Sequence, residues 1–298
     1  MIASSEGETV ARAAVCHNRE DNKEDQVREN RLRTLLNEGK PSYATRLHST
    51  WPLLTEFVGR SGQFDYVEFL AEYAPYDLHD LDNLGRAIEL SPNFCGMIKI
   101  EQSAQWHVAV RAMAAGIQNL LFTDVRTAAD AEEIVRMVRP EGPGNDYTHG
   151  LANGRIPLES PPQFVQYYND AVIAIMIEKR AGVENLEAIL RVPGIDMVQF
   201  GPGDYGLSVG KPNTSYGGGL HPDVIEAREY TIKTCLEMGI RPRAEINSVD
   251  QVDYYTALGV KDFCLSSELV ILKAYYREQG RALRERVEQP ASQMAVPM

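Results

Sequence analysis

Cysteine is scarce: Cys16, Cys95, Cys235 and Cys264 stand far apart in a chain of 298 residues, with no CxxC pair. That spacing excludes a disulfide framework and a thiolate zinc cluster, and it fits reduced thiols in a cytoplasm. Concentrated positive charge is missing as well, since 30 Lys and Arg face 42 Asp and Glu for a net charge of -12. Binding to phosphate backbones needs clustered Lys and Arg, so no nucleic-acid surface is expected; the partners expected are small molecules or further copies of the chain. No apolar run reaches the ~18 to 20 residues of a membrane span, and the N-terminus is charged where a signal peptide is apolar. Nor does a GxGxxG open a helix after the first strand, which argues against a doubly wound nucleotide-binding sheet.

What is present is alternation. With 44% hydrophobic and 24% charged residues the chain can bury a full core. After a polar leader, short apolar runs and helical stretches alternate about eight times, the pattern of a parallel α/β fold. Strands are predicted near Tyr43–His48, Asp65–Glu72, Gly96–Glu101, Asn119–Asp124, Val172–Glu178, Met197–Gly201, Pro242–Ile246 and Phe263–Ser267. Amphipathic helices are predicted over Ala128–Val138 and Val183–Leu190, and a mixed apolar and basic helix over Leu269–Val287. Eight such units predict a single-domain (β/α)₈ TIM barrel over residues 37–288. It is flanked by a polar N-terminal extension over 1–36 and a flexible tail over 289–298.

In such a barrel the functional residues sit at the C-terminal ends of the strands. Two carboxylates fall there: Glu178 closes the run Ile175-Met176-Ile177-Glu178, and Asp204 lies in Gly201-Pro202-Gly203-Asp204-Tyr205. Alone, each reads as a solvated strand-end residue. Converging, they suit a hard divalent cation such as Mg²⁺ or Mn²⁺, which prefers oxygen ligands and keeps positions open for water and substrate.

The stretch Ala171–Gly210 carries a longer signature. Val183–Ile189 reads Val-Glu-Asn-Leu-Glu-Ala-Ile, Pro193–Asp196 reads Pro-Gly-Ile-Asp, and Gly-Pro-x-Asp at Gly201–Asp204 precedes Ser-x-Gly at Ser208–Gly210. In this order the segments resemble the HpcH/HpaI (4-hydroxy-2-oxoheptanedioate) aldolases, the metal-dependent class II pyruvate aldolases, and the resemblance spans roughly Pro41–Arg286. It implies Glu178 and Asp204 as metal ligands, a 2-oxo acid as substrate, and retro-aldol cleavage to pyruvate or a related keto acid plus an aldehyde through a metal-stabilised enolate. It also implies a homo-oligomer built from dimers, up to a hexamer, with the C-terminal region packed across the dimer.

Elsewhere the chain departs from the family. The family's Asp-Gly-Glu-His-Ala-Pro at the end of strand two is Leu70-Ala71-Glu72-Tyr73-Ala74-Pro75 here, so only Glu72 and the Ala-Pro pair remain. The Arg expected on strand three is Lys99, and the Gln expected two places before Glu178 is Met176. Lys supplies charge without the bidentate fork. The candidate catalytic residues are therefore Arg46, His48, Glu72, Tyr73 and Lys99. His48 stands in for the missing acid/base, since imidazole ordinarily titrates near neutral pH. Tyr73 is read as a hydrogen-bond donor to a substrate oxygen; proton transfer by Tyr73 requires that the metal or Lys99 lower its pKa. Losing three family residues together leaves open a decarboxylase or a lyase for a bulkier or aromatic substrate, and a catalytically silent ligand-binding barrel. Two further histidines are singled out: His221, before Pro222 at a helix start, reads as structural, and His149 lies in a Gly/Pro-rich loop over Gly142–Pro162 that could close over a site.

Overall fold

The eight mainly apolar runs become eight parallel strands, because most are buried on both sides and β1 to β7 are each followed by helix that returns the chain to the starting end. In the computed structural model they are β1 (Ser42–Leu47), β2 (Tyr66–Leu70), β3 (Cys95–Ile100), β4 (Asn119–Phe122), β5 (Ile173–Ile177), β6 (Met197–Phe200), β7 (Arg241–Ile246) and β8 (Asp262–Ser267). They pair in sequence order, and β8 pairs with β1 to close the barrel. The predicted (β/α)₈ barrel is thus the observed one. The structure describes residues 28–288 except 102–104, 148, 151–153, 157, 159 and 213–218. Cys16, most of the N-terminal extension and the tail at 289–298 lie outside the described residues.

Side chains alternate along each strand, which divides the core in two. Outward residues such as Val67, Phe69, Ile98, Leu120, Ile173 and Ile175 pack beneath the helices. Inward residues such as Tyr66, Met97, Leu121, Ala174, Met176 and Met197 fill the barrel. Helix starts follow local chemistry: α3 (Leu78–Glu89) and α5 (Ala128–Val138) each begin with a capping box, Asp77 with Asp80 and Thr127 with Asp130.

Three features depart from the sequence reading. The folded body begins before residue 37: α1 (Arg31–Asn37) buries Leu32 and Leu35, and Leu32 joins the interior cluster of the barrel. Arg33 grips Asp196 at 2.6 and 2.7 Å, and Arg28 donates to the carbonyls of Ile88, Ser91 and Phe94, so polar anchors hold a segment that composition alone marks as loose. The helix predicted over Val183–Leu190 is two, α7 (Arg180–Glu184) and α8 (Leu186–Leu190), broken at Asn185, whose side chain donates to Arg126 O at 2.9 Å. Finally, described residues of the loop over 142–162 lie away from the C-terminal ends of the strands rather than over them. Its Arg155 pairs with Glu89 and donates to Ala115 O, at the ends of α3 and α4 (Gln105–Ala115) and hence at the N-terminal end of the barrel. His149 is 3% exposed and packed edge-on against Tyr168 and Phe164 of α6 (Pro161–Asn169).

Candidate active site

The floor of the site is polar. On β7 the wholly buried Arg243 donates to Tyr66 Oη at 2.9 Å, to Gln199 and to Glu68, which is also fully buried. Above it Arg46 pairs with Glu245 and donates to Ser266 O at 3.0 Å and to Asn247 at 3.3 Å. Both guanidiniums lie deep, where burial alone would weaken the charge, yet the facing carboxylates raise each pKa. Arg46 is therefore committed to Glu245. Sequence reasoning missed Glu68 and Gln199, although a Glu inside Tyr66–Leu70 and a Gln inside Met197–Phe200 are visible interruptions of apolar runs.

Glu178 follows β5 directly and is 3% exposed. Its Oε1 accepts the Asp124 N–H at 2.8 Å, which Asp124 can aim inward because its backbone is left-handed, with φ of 59°. Burial raises the Glu178 pKa; Lys99 and the Asp124 N–H oppose this, while Asp204 and Glu72 add to it. Each of these groups lies within electrostatic reach of Glu178. Gly201 lets the backbone pass close against this side chain, because a Cβ there would stand 2.6 Å from Glu178 Cβ and 2.7 Å from its Oε2. Asp204 sits in the first turn of α9 (Pro202–Ser208), about half exposed, with Oδ1 accepting from Lys179 Nζ at 2.9 Å. Among the described residues no three His, Cys, Asp or Glu side chains form a ready-made metal cage. Two carboxylates, one buried and one half exposed, are by their chemistry compatible with a hard cation that keeps its remaining positions for water and substrate oxygens.

Beside Glu178, Lys99 reaches the same end of the barrel from β3. It pairs with Glu72 at 2.6 Å and donates to Tyr73 Oη at 2.8 Å. Burial pulls the Lys99 pKa down, but Tyr73 and Glu72 outweigh it and the group stays above its ordinary value. The Tyr73 phenol moves opposite to the condition set for proton transfer: burial lifts it to about 12 against the lowering effect of Lys99. The stacked rings of His48 and Tyr73 are 6.3 Å apart. Glu268, at the start of α12 (Glu268–Glu288), accepts the N–H groups of His48 and Ser49 at 2.7 and 2.8 Å and places its second oxygen 3.6 Å from His48 Nδ1. Glu268 and Lys179 were not anticipated: each belongs to the strand-end turn that follows its strand, where periodicity is silent.

The structure thus joins Glu72, Tyr73 and Lys99 by direct contacts, brings Lys99, Glu72 and Asp204 near enough to act on Glu178, sets His48 beside Tyr73, and gives Arg46 to the floor. His221 Nδ1 accepts from Asp223 N–H at 3.2 Å and caps α10 (Pro222–Glu237), in keeping with a structural role.

Residues 98–252 match the model of the family described as HpcH/HpaI aldolase/citrate lyase. A hydroxypyruvate/pyruvate aldolase of Roseobacter denitrificans is 29% identical over 215 residues, covering 70% of this chain and 80% of that one. A 2-keto-3-deoxy-L-rhamnonate aldolase of Salmonella schwarzengrund is 30% identical over 207 residues, covering 66% and 73%. The barrel superposes on an HpcH/HpaI family protein of Burkholderia cenocepacia with a TM-score of 0.77 at 23% identity, covering 86% of this chain and 100% of that one. Macrophomate synthase shares the fold with a TM-score of 0.72 at 21% identity, covering 86% and 91%.

Proposed function

The chain belongs to the HpcH/HpaI aldolase/citrate lyase family, and from that premise we propose that it is a metal-dependent carbon-carbon lyase cleaving a hydroxy 2-oxo acid to pyruvate or a related keto acid plus an aldehyde. The observation that supports this reading is the buried Glu178 carboxylate packed against Gly201, with Lys99 and Asp204 near enough to act on its charge. Glu178 and Asp204 hold the divalent ion, with Mg²⁺ or Mn²⁺ the candidates. When bound, that ion supplies Lewis-acid stabilisation of the negative charge developing on the keto oxygen as the carbon-carbon bond breaks.

The chain's own side chains do the rest. Lys99, kept charged by Glu72 and Tyr73, attracts the substrate carboxylate. Tyr73 stays protonated at neutral pH and donates a hydrogen bond to a substrate oxygen. His48, oriented by Glu268, removes the proton of the hydroxyl on the carbon that becomes the aldehyde. The Arg243–Glu68–Gln199 floor keeps solvent from entering beneath. A second reading, a bulkier or aromatic substrate, is favoured by Trp51, Tyr73 and Trp106, each more than half exposed on segments following β1, β2 and β3.

Self-association belongs to the same reading. Beyond Glu268, α12 leaves the barrel with Leu269, Ile271, Tyr275 and Tyr276 exposed. The outer face of β1 and β8 that it would cover is a groove of about 650 Å³ lined by Tyr43, Phe64, Ile246, Val252, Phe263 and Leu265. The α12 of a second copy is its occupant, an exposed apolar helix matching an uncovered apolar groove.

The test is exchange of the pyruvate methyl protons in deuterated water. Wild type with Mg²⁺ or Mn²⁺ is expected to exchange them; a chelator or Glu178→Gln abolishes the exchange. Exchange that survives both overturns the metal reading.

A further inference from the structure

Lys179 directly follows Glu178, and its place is not that of a loose surface lysine. Its side chain is 19% exposed, with Nζ 2.9 Å from Asp204 Oδ1 and 4.0 Å from Asp124 Oδ1. The two segments that carry Lys179 and Asp204 are clamped together, because Arg180 N–H donates to Ser208 Oγ at 2.9 Å across the gap between α7 and α9. Asp124 is already gripped by Arg126 at 3.0 and 2.8 Å, so the principal partner of the ammonium is Asp204. Three carboxylates, Glu178, Asp204 and Asp124, face Lys179 and Arg126, and the Lys99–Glu72 pair beside Glu178 adds no net charge.

We propose that the Lys179 ammonium is a built-in competitor for the cation site: it neutralises Asp204 in the metal-free protein, must yield Asp204 before a divalent ion can engage both carboxylates, and so sets the metal affinity of the chain. This rests on the reading of Glu178 and Asp204 as the metal-holding pair. Like charges at contact distance repel, so an ammonium that keeps Asp204 excludes the ion, and one that yields can move toward Asp124, 4.0 Å away. With the ion bound, the cluster carries a net positive charge that an incoming 2-oxo acid carboxylate neutralises. Ion and keto acid therefore bind cooperatively, and Lys179 contributes to that coupling.

The experiment measures Mn²⁺ affinity by the paramagnetic resonance signal of the free ion, with and without pyruvate, for wild type, Lys179→Met, Lys179→Arg and Glu178→Gln. Lys179→Met is expected to bind Mn²⁺ about tenfold more tightly without pyruvate and to gain less from pyruvate than wild type does. Lys179→Arg, which keeps the charge, is expected to stay close to wild type. Unchanged or weaker binding by Lys179→Met, or equal tightening by Lys179→Arg, overturns the proposal while the loss of binding in Glu178→Gln leaves the metal pair standing. If wild type does not bind Mn²⁺, or Glu178→Gln binds it equally well, the metal reading falls and the proposal with it.

Discussion

Two residues test how environment sets protonation. Tyr73 keeps its proton until about pH 12, so its role is to donate a hydrogen bond and to receive one from Lys99. Tyr73→Phe should lower kcat/KM by roughly 10- to 100-fold while leaving Mn²⁺ affinity at the wild-type value; unchanged kcat/KM would make Tyr73 a packing residue of the rim. His149 is the converse case, an imidazole pressed into the ring cluster of α6 and pushed down by burial from 6.5 to about 4. Between those values the unfolded chain binds a proton that the folded chain refuses, so stability rises with pH across that window and is lost as pH falls through it. The loss amounts to at most about 3 kcal/mol. Urea midpoints at pH 4.5 and 7 should differ less in His149→Phe than in wild type; an equal difference would remove His149 as the cause. In sequence, neither environment was legible: a His in a Gly-rich loop and a Tyr at a strand end look alike until their neighbours are known.

Among the elements, the strands were legible to within two residues, because a buried parallel strand is a short, mainly apolar run with a polar end, even where Glu68 or Gln199 interrupts it. Ala128–Val138 was equally plain, with its capping box and helical spacing. The break at Asn185 was not, since an apolar period continues across two short helices whose separation depends on a long-range bond to Arg126. The helix α12 gives the clearest consequence at this level. Its apolar residues are exposed in the single chain, so on the proposed pairing of two copies Ile271→Asp with Tyr275→Asp should lower the sedimenting mass below that of wild type while the far-UV signature of the barrel is kept. A doubly substituted chain that still sediments at the wild-type mass would show that α12 is not the contact.

At the level of the whole molecule, the parallel barrel was written in the eightfold alternation, and the placement of Glu178 and Asp204 just past two strands was legible with it. What was not legible comes from contacts between distant segments: Arg46 captured by Glu245, His48 braced by Glu268, and the N-terminal end sealed by Arg28, Arg33 and Leu32. Periodicity reports which side of a strand faces inward, but not which inward charges cancel each other. With that end covered and the interior filled by side chains such as Tyr66, Met97 and Met176, the polar residues at the C-terminal ends of the strands are the face left to a ligand. On the proposed lyase reading, substrate and both products would share that face, so added pyruvate should compete with the substrate for it.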